Sequence, residues 1–231
     1  MIRWTWLRSI VTSHQRRTAN VVGGITWRVA NPRSPIEAAS SSGDVNQMIA
    51  ALDLPGDPVD RHFLFVALED ALRRGHDSDG LLAACRRHLR EFGPMEAGLR
   101  TWDKELGGDG GLPSVPAFEI LARSAYRAGD LEGTETLCRQ AIELGIGGAG
   151  GGVGIYYDLL DQVTLTRNVE PLLLVATSTG PGILQRRFYQ ELPRDWDHRM
   201  VGLAIASLAA RGVVTRTKQS GTYLLTSGGR D

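Results

Sequence analysis

The chain has 231 residues and 25.1 kDa, 42% of them hydrophobic, with 26 basic and 26 acidic side chains: enough for one large or two modest cores, and too apolar for a disordered polymer. No apolar run reaches membrane-span length, no continuous apolar segment marks a secretory signal, and Cys85 and Cys138 are too few and too distant for a disulfide framework or a zinc site. These bounds lead us to expect a soluble cytoplasmic protein with no membrane association.

The zero net charge hides an asymmetry. Residues 1–36 hold six Arg and no acid, residues 165–231 hold nine basic and five acidic groups, and the middle keeps eleven basic and twenty-one acidic. Only Lys104 and Lys218 among the basic residues are not Arg, a skew that codon composition explains as readily as guanidinium chemistry.

In chain order, "MIRWTWLRSIVTSHQRRTAN" is Arg-rich and acid-poor, as are transit peptides, segments that graze nucleic acid or lipid, and plain solvated tails. "ANPRSPIEAASSSGD" reads as a linker, so residues 1–43 are expected to be a basic, disordered tail and linker. "DVNQMIAALDL" is a short helix with Asp44 as N-cap and Pro55-Gly56 as its stop.

"DRHFLFVALEDALRRGHDSDGLLAACRRHLREF" splits into two helices around "GHDSDG". Phe63, Val66, Ala67 and Ala71 mark one apolar face, and Leu81, Leu82, Cys85 and Leu89 the other. A second pair follows in "PAFEILARSAYRAGDLEGTETLCRQAIELG", with Phe118, Leu121, Ala122 and Ala125 facing Leu131, Thr134, Cys138, Ala141 and Ile142 across a Gly129-Asp130 turn. This block resembles a tetratricopeptide repeat: Phe118, Leu121 and Ala122 stand at that family's Trp, Leu and Gly positions, and Thr134, Cys138 and Ala141 at its Ala, Phe and Ala positions. Phe63, Val66 and Ala67 follow the same offsets in the earlier pair. The insert "GPMEAGLRTWDKELGGDGGLPSVP" reads as a loop with one short helix at 95–102. Residues 60–163 as a whole look like a group of bacterial tetratricopeptide-like proteins, which implies helix-on-helix packing, a concave face for a protein or peptide partner, and no catalytic residue. Both thiols are expected at hairpin interfaces, buried and inert.

"GIGGAGGGVGI" satisfies G-x-G-x-x-G through Gly145, Gly147 and Gly150, but it follows a helix rather than a strand and lacks the Lys-Ser/Thr of a phosphate loop. It reads as a helix cap and linker, and no cofactor is expected.

From Pro171 the pattern changes. "EPLLLVATSTG", "PGILQRRFYQELP" and "DWDHRMVGLAIASLAARG" read as three helices, and Val213–Thr217 with Thr222–Thr226 as a β-hairpin turning at Lys218, Gln219, Ser220 and Gly221. That order resembles a winged helix over residues 170–227, with Leu184, Phe188, Leu192, Val201, Ile205 and Leu208 inward and Gly212 as a left-handed cap. The resemblance implies a helix-turn-helix reading face, here His198 and Arg199 and then Gly202, Leu203, Ala206 and Ser207, which offers few polar groups to base edges. Candidate nucleic-acid contacts are Arg186, Arg187, His198, Arg199, Arg216 and Lys218; the alternative is a partner-contact patch of Trp196, Leu203 and Ala206.

The five His (His14, His62, His76, His88 and His198) are dispersed, no Ser or Cys sits in a nucleophile elbow, and turn chemistry accounts for Asp77 and Asp79. No catalytic or metal residue is expected. The expectation is a mainly α protein: tetratricopeptide-like helical hairpins over 44–164, and a winged helix of three helices plus a β-hairpin over 165–231. Its expected role is a non-catalytic adaptor or regulator that captures a protein partner on the hairpins, with a transcriptional regulator binding duplex DNA as the alternative.

Overall fold

The computed structural model of the chain describes residues 34–147, 152–178, 181–219 and 221–228. Among these residues the chain forms ten helices and three short strands: α1 (Pro35–Ser42), α2 (Val45–Ala51), α3 (Pro58–Arg74), α4 (Ser78–Arg90), α5 (Phe92–Glu105), α6 (Pro116–Arg127), α7 (Leu131–Glu143), α8 (Gly154–Ser178), β1 (Ile183–Leu184), α9 (Gln185–Glu191), α10 (His198–Ala210), β2 (Val214–Gln219) and β3 (Thr222–Ser227). The fold is mainly helical with one small antiparallel sheet near the C-terminal end, and all the described residues belong to one compact unit. The basic stretch 1–33, and residues 148–151 of the glycine-rich segment, lie outside the described residues.

Two hairpins, α3–α4 and α6–α7, repeat one design at a constant offset of 53 residues, the separation of Cys85 from Cys138. Each second helix starts on an aspartate whose carboxylate accepts from a glycine N–H three residues on: Asp77 from Gly80 at 2.9 Å, Asp130 from Gly133 at 2.8 Å. That bond satisfies an orphan donor of the first turn. The residue before each aspartate is left-handed, His76 at φ 58° and Gly129 at φ 81°. This offset matches Phe65, Leu68 and Glu69 to Phe118, Leu121 and Ala122, which corrects by two residues the match expected for Phe63, Val66 and Ala67. The reason is packing. Phe65 and Leu68 are buried as deeply as Phe118, whereas Phe63, Ala67 and Ala71 are only half-buried, because α4, α1, α5 and α2 surround α3 and leave none of its residues from 58 to 72 exposed.

The expected linker is overturned in part. Ser34 caps α1 by accepting from Glu37 N–H at 3.1 Å, Pro35 suits its first turn, and Ile36 enters the core. The short helix expected in the insert is the fourteen-residue α5, which buries Phe92, Met95 and Leu99.

The expected boundary at 164/165 falls inside α8. The short helix expected at "EPLLLVATSTG" is the C-terminal part of one 25-residue helix, with Pro171 inside. Its buried stripe of Tyr156, Leu159, Val163, Thr166, Val169, Leu173 and Thr177 keeps helical spacing throughout. Tyr156 and Leu159 join the hairpin core; Val169 and Leu173 join a second core with Phe188, Leu192, Val201, Ile205, Leu208, Val214 and Leu225.

In this second core the helices after α8 and the hairpin follow the expected order, with one added strand. β1 pairs with β3, giving the order β1-β3-β2, and this moves Leu184 out of the inward set: it pairs with Leu224 while Ile183, opposite Leu225, turns to the core. Lys218, expected in the turn, lies in β2 opposite Tyr223, since the ladder runs on to Gln219–Thr222.

The seam between the two cores depends on Gly129. A Cβ there would sit 2.9 Å from the Ser207 carbonyl and overlap the Arg211 side chain, on top of its left-handed φ. Gly129→Ala is expected to cost about 1–3 kcal/mol. A urea melt reads this; an unchanged midpoint would show that the seam yields without cost.

Candidate functional site

The expected contact residues gather around α9, α10 and the β2–β3 hairpin. Arg186 and Arg187 are exposed on the first turn of α9, and Arg187 reaches Glu191 at 3.5 Å. His198 opens α10 with its ring stacked on Tyr189 of α9, 4.8 Å between centroids and 12° between planes, and exposed Arg199 follows it. Tyr189 bonds Gln185, and its hydroxyl lies 3.1 Å from where a Cβ on Gly202 would stand. Gly202 therefore leaves room for the ring that holds His198. Since Arg186 lies one helical turn before Tyr189, Arg186, His198 and Arg199 share one corner. β3 packs against α9. Beyond it Arg216 lies with its guanidinium 4.2 Å over the Tyr223 ring, and Lys218 is exposed.

The partner-contact alternative comes apart in two places. Trp196 is half-buried against the second core and Ala206 is half-buried, so of the three only Leu203 stands out, 48% exposed. Ser207, expected on the free face, is buried. Its hydroxyl donates to the Tyr126 carbonyl at 2.9 Å, and Gln162 Nε2 donates to the Met200 carbonyl at 2.8 Å. These bonds fix one side of α10 to the helical body near both its ends and leave His198, Arg199 and Leu203 on the free side.

A polar notch of about 430 Å³ opens beside this seam, lined by Asp130, Glu132, Arg167, Glu170 and Arg211. Its guanidiniums are already paired, Arg167 with Glu135 at 2.7 Å and Arg211 with Glu170 at 2.8 Å, and Asp130 caps α7. It offers no free guanidinium to an anionic ligand.

The sequence reading missed a cluster inside the first hairpin. His62 and Glu69 from α3 meet Cys85 and His88 from α4, none more than 2% exposed. His62 Nδ1 lies 3.0 Å from His88 Nε2, and His88 Nδ1 lies 2.7 Å from Glu69 Oε1. The Cys85 thiol donates weakly to the Glu69 carboxyl, and Phe65 stacks flat on His88 at 4.7 Å. His62 Nε2 and Glu69 Oε2 have no partner. Burial pushes the Glu69 carboxyl up to about 8, His88 down to about 3, and His62 well below its ordinary value. Burial likewise raises both thiols, Cys138 to about 11, which agrees with the expectation of inert cysteines. Among the described residues no three His, Cys, Asp or Glu side chains converge as metal ligands. One signal was available in the sequence: the constant offset sets Glu69 and His88 against Ala122 and Ala141, polar where the second copy is small and apolar.

No family model, no curated protein and no solved structure matches this chain. No helix among the described residues is long and apolar enough to cross a membrane.

His88→Ala removes the middle link and leaves His62 and Glu69 both unsatisfied in the core. The expected loss is about 3–5 kcal/mol, a void plus two orphaned polar groups. Thermal or urea unfolding checks it, and a loss within experimental error would mean that water or repacking fills the gap.

Proposed function

We propose that the C-terminal module binds nucleic acid, with duplex DNA as the ligand, through phosphate contacts around the N-terminal half of α10. The observation that carries this reading is a contrast in pairing. In residues 34–178 eight of the twelve Arg and Lys, Arg61, Arg73, Arg74, Arg87, Arg100, Arg123, Arg139 and Arg167, sit in ion pairs with Asp or Glu, against two of seven, Arg187 and Arg211, in residues 181–228. Residues 181–228 carry seven Arg and Lys against three Asp and Glu, and among the described residues Arg186, Arg194, Arg199, Arg216 and Lys218 make no ion pair. Charges left unpaired on one module are available to phosphates.

Further support comes from the element order of helix, short strand, two helices and hairpin, which resembles a winged helix, and from His198, a polar ring held in place on the free side of α10. The arginines position the duplex and His198 faces the bases. Capture of a partner on the hairpins has less support, because neither 58–72 of α3 nor 116–126 of α6 presents an exposed residue as a groove lining. Exposed Leu203 favours one second reading, a protein contact centred on α10.

The test uses the full chain, since the helical body holds α10, and titrates a labelled duplex at about 50 and 200 mM salt. Arg186→Ala, Arg199→Ala and Lys218→Ala together are expected to weaken binding to all sequences alike. They should also flatten the log-affinity against log-salt slope by about 0.9 for each phosphate no longer neutralised. No binding at the lower salt overturns the reading and leaves the Leu203 surface for a protein.

A further inference from the structure

Within the buried cluster the count of protons is constrained. A neutral imidazole carries one N–H, so His88, between two partners, donates in one bond and accepts in the other. If it donates to an ionised Glu69, the cluster holds a net negative charge and His62 Nε2 is a bare lone pair in the core. If instead Glu69 is protonated and donates to His88 Nδ1, His88 donates from Nε2 to His62 Nδ1, and every member is neutral. Burial favours the neutral arrangement, since an unpaired charge in a dry interior is far costlier than one N–H without an acceptor. The charged groups that act on the cluster are Arg73 on α3, Arg86 on α4 and Glu91 at the junction of α4 and α5; around it stand the rings of Phe65, Phe92 and Phe118, from α3, α5 and α6.

Helical packing does not require these polar groups. At the same offset the second hairpin has Val115, Ala122 and Ala141 in place of His62, Glu69 and His88, all fully buried, and it keeps the same aspartate-to-glycine cap ahead of a buried Cys138.

We propose that the Glu69–His88–His62 chain is a proton-counting latch on the α3–α4 hairpin: it is closed in the neutral arrangement, and gain or loss of a proton opens the hairpin and exposes Cys85. The pH dependence follows from the two states. Once open, the groups titrate at their ordinary values, 4.5 for the carboxyl and 6.5 for each imidazole. The closed form keeps the Glu69 proton up to about 8, so its advantage from that group is complete below 4.5 and falls as pH rises to 8. It keeps both imidazoles neutral, so that advantage is complete above 6.5 and falls as pH drops, for His88 down to about 3. Between 6.5 and 8 opening releases one proton. Between 4.5 and 6.5 it takes up two on the imidazoles and releases one, a net uptake of one. The closed form is therefore firmest near pH 6.5, where uptake and release cancel, and the opening constant grows about two- to threefold over the first pH unit on either side.

The two thiols, at equivalent places in the two hairpins, make the experiment internal to one molecule. A pyridyl disulfide labels the native full chain from pH 5 to 8.5, and each cysteine's rate is divided by its rate in the denatured chain at the same pH. For Cys85 this ratio is expected to pass through a minimum near pH 6.5, to be about threefold higher at 5.5 and about twofold higher at 7.5, and to reach about tenfold at pH 5; for Cys138 no such minimum is expected. Glu69→Gln, whose amide donates to His88 as the protonated carboxyl does, should abolish the rise above 6.5 and keep the acid limb. A flat Cys85 profile, or one that runs parallel to Cys138 because only global unfolding exposes either, overturns the proposal with wild-type protein alone, whether or not the variant folds.

Discussion

The structure depends on one helix serving two cores. α8 inserts Tyr156 and Leu159 among the hairpins and Val169 and Leu173 among the C-terminal elements, so each core borrows part of its wall from the other's scaffold. Pro171 removes a helix N–H and crowds the carbonyl four residues back, which in a free helix would bend or end it. Here it sits on the exposed side, and the buried stripe passes it unbroken. Burial on both sides of the proline outweighs the missing bond, since each fully buried large apolar side chain is worth about 1.5–3 kcal/mol.

Where the two cores meet, directional polar contacts bridge them. Thr166 lies within 2.7 Å of the Tyr126 hydroxyl and donates to the Gln162 carbonyl, while Gln162 and Ser207 bond backbone groups of facing helices. Such bonds require particular distances and angles, where apolar contacts tolerate sliding, and they hold α10 at one rotation against the body. That rotation leaves His198, Arg199 and Leu203 outward and Ser207 inward. The free surface of α10 is thus set as much by its neighbours on the body side as by its own sequence.

The duplicated hairpins show how one backbone accepts two opposite interiors. With alanines at the close-approach positions, α6 and α7 pack through dispersion; with Glu69 and His88 there, α3 and α4 pack through a hydrogen-bonded chain whose charge must stay at zero. Outside, the same chemistry divides differently. Most of the body's arginines are engaged in ion pairs along and between helices, each a small contribution in water, while among the described residues five of the seven cations of the C-terminal module make none. Arg216 is an intermediate case, half-buried with Tyr223 as a partner that leaves its charge intact.

The sequence by itself determined the helices, the hairpins, the buried thiols and the basic C-terminal surface, because these follow from local rules: apolar periodicity, aspartate caps and glycine turns act within a few residues. Asp44, Gly212 and the Cys85–Cys138 equivalence were legible for that reason. Only the tertiary structure decided the rest. α1 forms because Ile36 finds a core, against the propensity of a Ser-rich segment. The register of α3 could not be read from an apolar face, since a helix enclosed on every side has no single face to read. α8 is one helix because two distant cores both need it. His62, Glu69 and His88, spread over 27 residues, become one chemical unit only when α3 and α4 fold back on each other, a nonlocal contact that no spacing rule along the chain encodes.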